Sequence, residues 1–236
     1  MRLSKFISTS GYTSRRKADK LIENGFVIVN SEVCRDFSKN IISTDEVIVE
    51  STLITMQPPK LWLFNKPNGY LCTTDDPAGR KTIYNLLPNK LSNLITIGRL
   101  DLNSNGLLLL TNNGELSRYY ELPINKITRK YHVDFSGTLM SKQIKSLESG
   151  IFINGTNYGS IKSKTLKKIR NKFTLELSMQ EGKNREIRNI ASHFDWKVIN
   201  LKRIQYGQYF LSNMKAGEIK EVKISEQIMP SISPLQ

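Results

Sequence analysis

Cysteine and histidine are scarce in this 236-residue chain, and both shortages narrow its chemistry. Two cysteines, Cys34 and Cys72, are too few for a disulfide framework or a four-thiolate zinc site. Two histidines, His132 and His193, cannot form a His-rich metal cluster. The longest aliphatic run, residues 107–110, is far shorter than the roughly 20 residues that span a bilayer. We therefore expect no bound metal and no membrane partner, and a reducing, cytoplasmic location.

Sequence signatures of cofactor chemistry are also missing. The chain contains no Gly-rich phosphate loop, no nucleophile-elbow serine and no zinc-binding helix motif. Its composition, 39% hydrophobic and 24% charged, is that of a folded globular protein. Nucleotide-driven, flavin, nicotinamide and metal reactions therefore have no support, and we expect an activity that uses no cofactor.

Acidic residues are few relative to basic ones. The chain has 35 Lys and Arg against 21 Asp and Glu, a net charge of +14 that indicates a polyanionic partner. The first 20 residues contain six basic side chains and only Asp19 as an acid, and residues 61–236 are basic throughout. Nucleic acid fits this pattern better than an anionic membrane surface, because no segment combines a basic face with a large apolar one.

A basic start that is rich in serine and threonine is also typical of mitochondrial transit peptides. Here, however, the basic residues continue directly into a predicted helix. Ser14 suits the N-cap, Ala18 and Leu21 recur at helical spacing, and Gly25 stands where a helix would end. A cleavable presequence does not need that junction, so we favour a structural module.

Turn residues divide the chain into two folded parts. The N-terminal part predicts two short helices followed by short strands, and consecutive prolines at 58 and 59 indicate a linker. Many short strands with three helical stretches follow, which predicts an α+β fold with a largely antiparallel sheet and flanking helices. The predicted division is a small αβ module at 1–50, a linker at 51–60, a larger domain at 61–229 and a loose tail at 230–236.

The helix that begins after Ser14 is the first candidate for function. Arg15, Arg16 and Lys17 fall in its first turn, where the helix dipole disfavours cations. Their position makes sense if a phosphate binds at this helix N-terminus. A solvated charged face is the alternative interpretation.

Asp101 is the second candidate. A predicted strand, 95–97, leads into the segment Gly98-Arg99-Leu100-Asp101, and the apolar run 107–110 leads out of it. An acid on a loop between strands is held by a rigid scaffold yet exposed to a ligand, as catalytic residues often are. Taken in isolation, the segment is better explained by an ordinary turn aspartate.

The segment 181–188 is the third candidate. It joins a predicted strand to a predicted helix and contains Lys183, Arg185 and Arg188 within six positions. These cations could bind a phosphate, or one could pair with a catalytic carboxylate and keep it ionised. The alternative is a solvated basic turn.

Together these segments resemble the RsuA/RluB family of ribosomal RNA pseudouridine synthases, which have an N-terminal module like that of ribosomal protein S4. The resemblance extends from residue 2 to about residue 222, and the order and spacing of its blocks agree. The blocks are 2–7, 14–18, 27–30, 66–70, 75–80, 98–101, 106–112, 130–133 and 181–188. Because Gly98-Arg99-Leu100-Asp101 resembles the family's catalytic signature, the interpretation of Asp101 as a turn residue is reversed.

Three residues depart from the family pattern. Ser104 stands where threonine is frequent, Ser31 where a turn glycine is usual, and Asn189 where a second arginine commonly follows the first. The first two retain hydroxyl or turn character. The third removes a cation that could contact RNA, but none of the three alters the chemical centre.

The resemblance implies an isomerase that converts uridine to pseudouridine without a cofactor. Asp101 would attack the anomeric carbon of the sugar or remove the neighbouring proton, and the sequence does not choose between these steps. Tyr131 would stack on the base and help remove the carbon-5 proton. Composition alone favours the alternative, in which Tyr131 is an aromatic strand residue packed in the core. Arg188 would pair with Asp101.

The same resemblance assigns the other cations to RNA, and the target uridine must be flipped out to reach a pocket. The expected RNA-binding residues are Arg2, Lys5, Arg15, Arg16, Lys17, Arg99, Lys183 and Arg185. The run 107–110 and the segments 131–137 and 184–188 resemble the large-subunit branch of the family more than the small-subunit branch. We therefore expect a monomer that modifies a large-subunit ribosomal RNA stem-loop or a pre-ribosomal particle. The alternatives are the same reaction on small-subunit RNA, or a non-catalytic assembly factor that clamps RNA with this fold.

Overall fold

The computed structural model describes residues 1–74, 76–226 and 228–229, and the expected tail, 230–236, lies outside them. Short helices and strands form two groups that have separate hydrophobic cores. The first group contains, in chain order, α1 (Leu3–Thr9), α2 (Arg15–Glu23), β1 (Val27–Val29), β2 (Glu32–Val33), β3 (Val47–Val49) and β4 (Thr52–Leu53). Its strands form one antiparallel sheet in the order β2-β1-β3-β4.

Helix α2 forms as its sequence predicts. Ser14 Oγ accepts a hydrogen bond from the backbone N of Lys17 at 3.4 Å and caps the helix. Gly25, with a φ of +79°, reverses the chain toward β1. Ala18 and Ile22, one helical turn apart, are fully buried in the core of the module. The three cations of the first turn therefore lie on the exposed side of the helix.

The first sheet continues beyond the boundary predicted at residue 50. Strands β3 and β4 are joined at Glu50 and Ser51, whose φ values are 46° and 68°. Ile54 and Met56 also pack in the core of the module, within the range expected to be a linker. Sequence inspection missed this hairpin because such left-handed turns are usually marked by asparagine or glycine.

The second group is built on a nine-stranded sheet. The group as a whole contains the strands β5 (Leu61–Lys66), β6 (Ile95–Ile97), β7 (Asn105–Thr111), β8 (Arg129–Ser136), β9 (Ile151–Ile153), β10 (Thr156–Tyr158), β11 (Lys162–Ile169), β12 (Lys172–Met179), β13 (Lys197–Tyr206), β14 (Tyr209–Phe210) and β15 (Ile219–Val222). The main order is β11-β12-β8-β13-β7-β5-β15, with β6 beside β7 and β14 beside β13, while β9 and β10 form a separate hairpin. Apart from the parallel pair β7–β13, the named strand pairs are antiparallel. The predicted α+β fold with a largely antiparallel mixed sheet is thereby confirmed.

Helices cover the sheet and close its cores. They are α3 (Gly114–Glu121), α4 (Ser141–Ser149) and α5 (Glu186–His193), with 3-10 turns at Ile83–Leu86, Asn89–Leu91 and Pro123–Asn125. Leu107 and Leu109 pack in one core with Leu116 of α3, whereas Leu108 and Leu110 pack in the other. Strand β7 is thus buried on both faces, which explains its uninterrupted apolar sequence.

Gly106 permits the parallel pairing of β7 and β13. Its φ is +100°, and a Cβ on it would lie 2.3 Å from the backbone oxygen of Arg203 on β13. Glycine therefore allows β7 and β13 to pair directly. Because α5 immediately precedes β13, this pairing brings α5 to the loop that precedes β7.

The two groups also contact each other. Lys5 Nζ lies 2.5 Å from Glu115 Oε1 on α3, and Asn93 Nδ2 donates a hydrogen bond to the backbone oxygen of Gly11 at 2.9 Å. None of the helices in the described ranges is long and apolar enough to cross a bilayer.

Candidate active site

The loop between β6 and β7 presents Asp101 to solvent while its backbone is held from below. Lys66, at the end of β5, is completely buried. Its Nζ donates hydrogen bonds to the backbone oxygens of Pro67 at 3.1 Å, Asp101 at 3.0 Å and Ser104 at 2.8 Å. Burial lowers the pKa of Lys66, although nearby acidic groups including Asp101 oppose the shift. The buried lysine therefore fixes the loop and leaves the Asp101 side chain, 35% exposed, free to face a ligand.

Two arginines of the segment 181–188 approach this carboxylate. Arg188 Nε lies 3.4 Å from Asp101 Oδ2, and Arg185 Nη1 lies 3.7 Å from the same oxygen. Arg188 also donates from Nη2 to the backbone oxygen of Asn103 at 2.7 Å and to Ser104 Oγ at 3.1 Å. Arg188 is 17% exposed and Arg185 is 55% exposed, so Arg188 is the more firmly packed partner. The structure thus brings together the aspartate and the arginine that the sequence analysis paired.

A cavity of about 500 Å³ opens beside the Asp101 carboxylate, within the size range of small-molecule pockets. Asp101, Tyr131, Arg188, Met179 and Leu201 contribute to its walls. The alternating burial of β8 directs Tyr131 toward the core side of the sheet, and the residue is 8% exposed. Tyr131 is therefore both a core aromatic and a wall of the cavity, so the two interpretations of it are compatible.

Two buried arginines in the wall of the cavity were missed by sequence reasoning. Arg129 donates to the backbone oxygen of Gln180 at 3.2 Å and to Tyr206 Oη at 2.9 Å. Arg203 is 2% exposed and donates from Nε to the backbone oxygen of Leu107 at 2.6 Å. Both guanidinium groups contact the Tyr206 ring, at 4.7 and 4.9 Å from its centroid. The alternation of β8 contained a signal for Arg129, which has the same parity as the inward-facing Tyr131.

The residues expected to bind RNA divide into exposed and paired cations. Exposed cations without a salt bridge in the described part of the chain are Arg2, Arg15, Arg16, Lys17 and Arg99. Arg99 also lines the cavity, and Arg185 contacts Asp101. Lys5 and Lys183 instead contact Glu115 and Glu181, at 2.5 and 2.6 Å. The assignment of these cations to RNA stays a prediction.

The three departures from the family pattern each have a structural context. Ser104 supplies the hydroxyl that accepts from Arg188 at 3.1 Å. Ser31 adopts a φ of 69° in the turn between β1 and β2, a conformation that glycine adopts without strain. Asn189 Nδ2 donates to Tyr158 Oη at 3.0 Å. No group of three or more His, Cys, Asp or Glu side chains in the described residues is arranged to hold a metal.

Comparisons with known proteins agree with this architecture. A family model described as RNA pseudouridylate synthase matches residues 60–193, and a model of the S4 domain matches residues 1–47. The chain belongs to the RNA pseudouridine synthases. It is an isomerase with an N-terminal S4 domain, which confirms the resemblance drawn from the motifs and implies that it binds RNA.

Individual relatives cover nearly the whole chain. An uncharacterized RNA pseudouridine synthase of Rickettsia bellii is 45% identical over 225 residues, which cover 94% of this chain and 96% of the relative. The ribosomal large subunit pseudouridine synthase B of Bacillus subtilis is 32% identical over 223 residues, covering 94% and 91%. A crystal structure of a pseudouridylate synthase superimposes with a TM-score of 0.68 at 27% identity and covers 94% of this chain and 96% of that one.

Proposed function

We propose that this synthase isomerises a uridine of large-subunit ribosomal RNA and that Asp101 is its catalytic group. The observation that carries the proposal is the carboxylate of Asp101, which faces a cavity, lies on a loop anchored by buried Lys66 and is 3.4 Å from Arg188. The choice of RNA is supported by relatives in Bacillus subtilis and Buchnera aphidicola that are named ribosomal large subunit pseudouridine synthase B.

Asp101 has the chemistry that the isomerisation needs. The reaction breaks the bond between C1′ of the ribose and N1 of uracil, turns the base, and joins C1′ to C5. A carboxylate either attacks C1′ or removes the proton from C2′, and both routes begin with an ionised acid beside the sugar. Arg188 and Arg185 stabilise that negative charge, and Arg188 also ties it to Ser104 and hence to the anchored loop.

Tyr131 and the cavity wall serve the base. The Tyr131 ring, with Leu201 and Met179, supplies an apolar surface on which a flipped uracil stacks while it turns. When the base has been rejoined through C5, the proton on C5 must leave. Tyr131 lies on this wall of the cavity, and its phenolic oxygen is the group of β8 that can accept that proton. Flipping costs a few kcal/mol, which contacts between the basic surface and RNA phosphates offset.

Substitution of Asp101 tests the catalytic part of the proposal. Asp101→Ala and Asp101→Asn should lower turnover by at least about a thousandfold, while RNA affinity stays similar or rises because a negative charge is removed. Asp195→Asn is the matched control, since Asp195 is exposed and its φ of 57° suits asparagine. Near-normal pseudouridine formation by a homogeneous Asp101→Ala protein would reject Asp101 and favour a role as an RNA clamp.

The choice of RNA needs a separate measurement. Pseudouridines should be mapped in both ribosomal RNAs of a strain that lacks the gene, and again after the wild-type or Asp101→Ala protein is returned. The proposal predicts one missing site in the large-subunit RNA, restored by the wild type only. A missing site confined to the small-subunit RNA would overturn the subunit assignment and leave the assignment of Asp101 intact.

A further inference from the structure

The turn between β12 and α5 contains a buried acid that the isomerisation does not by itself require. Glu186, the first residue of α5, is 3% exposed. Its Oε2 accepts a hydrogen bond from the backbone N of Lys183 at 3.0 Å, whereas its Oε1 is buried without a partner in the described residues. Leaving a buried carboxylate oxygen without a donor costs free energy, so the arrangement calls for a physical explanation.

Glu181 provides the explanation. Its carboxylate accepts from the backbone N of Gly159 at 2.5 Å and from Lys183 Nζ at 2.6 Å, so Lys183 contacts both glutamates, Glu181 through its ammonium and Glu186 through its backbone N. Two neighbouring carboxyl groups are stabilised when one of them keeps its proton and donates it to the other. Burial and the neighbouring Glu181 carboxyl raise the pKa of Glu186 to about 8. Burial opposes ionisation of Glu181, but its hydrogen bonds outweigh burial and lower its pKa, so the proton resides on Glu186.

Glu186 stands between the two arginines that contact Asp101. Arg185, immediately before it, has φ 52° and ψ 29°, a left-handed conformation that non-glycine residues seldom adopt. The backbone N of Glu186 donates to the backbone oxygen of Lys183 at 3.2 Å, so its main chain and side chain close the same turn. The buried carboxyl thus holds the strained Arg185 on one side and the first turn of α5, with Arg188, on the other.

We propose that Glu181 and Glu186 share one proton and that this carboxyl pair holds Arg185 and Arg188 in position around Asp101. The inference rests on the proposed catalytic role of Asp101. Both glutamates act through the arginines and are therefore positioning residues. When the pair loses its proton, two carboxylates repel each other at the base of the turn, Arg185 leaves its strained conformation, and turnover falls.

The groups around the pair do not supply the same pH dependence. They are Lys183 on the turn, Arg129 of β8 beside Gln180, Tyr158 of β10 beneath the Lys183 ammonium, and Arg188 of α5. The hydrogen bond to Glu181 raises the pKa of Lys183 and so moves it further from pH 8. Burial lowers the pKa of Lys66, which anchors the Asp101 loop, so a loss of activity centred near pH 8 is assigned to the carboxyl pair by its absence in Glu186→Gln, which retains Lys66.

Kinetics of the full-length protein as a function of pH test the positioning role, with ribosomal RNA from a strain that lacks the gene as substrate. Wild-type kcat should fall about tenfold for each pH unit above about 8, as the protonated fraction falls. The kcat of Glu186→Gln should not change over this pH range, because the glutamine amide is a hydrogen-bond donor at every pH. Glu186→Leu, without a donor, should lower kcat at every pH. Glu148→Gln, an exposed position on α4, should reproduce the wild-type profile.

Thermal unfolding without RNA tests the shared proton independently. The pKa of Glu186 is raised from 4.5 to about 8, so its stabilising contribution is fully present below about pH 4.5 and is lost as the pH rises to about 8. The Tm of the wild type, relative to Glu186→Gln, should fall across that window and stay level above it.

The outcomes separate the parts of the inference. A Tm difference that does not change with pH overturns the shared proton. If the Tm difference between the wild type and Glu186→Gln changes with pH while the two proteins have the same dependence of kcat on pH, the positioning role is overturned. Full activity of Asp101→Ala would instead refute the proposed function, and it would leave the Tm result unaffected.

Discussion

The cations on helix α2 and the cations around Asp101 are similar in type but differ in what they contact. Arg15, Arg16 and Lys17 are exposed and make no salt bridge in the described part of the chain. Arg185 and Arg188 converge on one carboxylate oxygen. Exposed cations attract RNA through an electrostatic field that salt screens, so each contributes a similar, modest amount to RNA affinity. The effect of a cation held against a carboxylate depends on its distance and orientation, so replacing one such cation should change turnover strongly.

Lys5 is intermediate between these two groups. Its side chain is 36% exposed and its partner Glu115 is 41% exposed. Exposed ion pairs of this kind contribute about 0 to 1 kcal/mol. An RNA phosphate can therefore compete for Lys5, whereas it cannot easily compete for Arg188, which also holds Asn103 and Ser104.

Replacement of Arg188 should have the largest effect. Arg188→Gln should lower turnover about a hundredfold, because it removes the closer of the two charges beside Asp101. Arg185→Gln, at a longer distance and greater exposure, should lower it less. Single-turnover rates at saturating RNA measure both effects. Equal losses for the two variants would mean that distance and burial do not distinguish these arginines.

Replacement of Lys66 should chiefly affect stability. Lys66→Met removes the Lys66 donor from the backbone oxygens of Asp101 and Ser104 in the β6–β7 loop and of Pro67 after β5, and the free energy of unfolding should fall by about 2 kcal/mol. Turnover should fall as well, because Asp101 loses its support. Lys60→Met is the control, since Lys60 is 47% exposed and makes a surface ion pair with Glu221. If denaturant unfolding gives the same free energy of unfolding for Lys66→Met and Lys60→Met, Lys66 does not stabilise the fold through these hydrogen bonds.

Replacement of the α2 cations should change affinity without changing turnover. In Arg15→Gln/Arg16→Gln/Lys17→Gln, the slope of log affinity against log salt should become shallower by about 2 to 3, since each phosphate contact contributes about 0.7 to 0.9. The rate at saturating RNA should stay the same. Lys142→Gln/Lys145→Gln, on an exposed face of α4, controls for general charge. An unchanged slope would show that α2 does not contact RNA in the complex.

Replacement of lysines on the basic strand β11 should have the smallest effect on catalysis. Strand register puts Lys164 and Lys167 on the sheet face opposite Tyr131, and β11 is an edge strand. Lys164→Gln/Lys167→Gln should change the Michaelis constant less than about twofold. If the lysines instead protect the edge from strand pairing, light scattering should reveal self-association. A large rise in the Michaelis constant would add β11 to the RNA surface.

Local sequence was a good guide where neighbouring residues decide the structure. The cap at Ser14, the spacing of Ala18 and Ile22 and the glycine at 25 specify α2 within one short segment. The alternation of buried and partly buried residues along β8 specifies that the Tyr131 side chain faces inward. The hairpin at Glu50 and Ser51 lacked the usual turn residues, and its sequence therefore gave no warning of β4.

The amino-acid sequence by itself determined most of the helices and strands, the basic surface and the family, because these follow from periodicity, composition and motifs along the chain. The family resemblance suggested that Arg188 pairs with Asp101, but the physical reason why these charges meet lies in the tertiary structure. Arg188 reaches Asp101 across 87 positions, and Lys5 reaches Glu115 across 110. The first contact depends on the parallel pairing of β7 and β13 at Gly106, and the second on the packing of the module against α3. Such contacts follow from the pairing of distant elements, and neither partner's local sequence specifies the other.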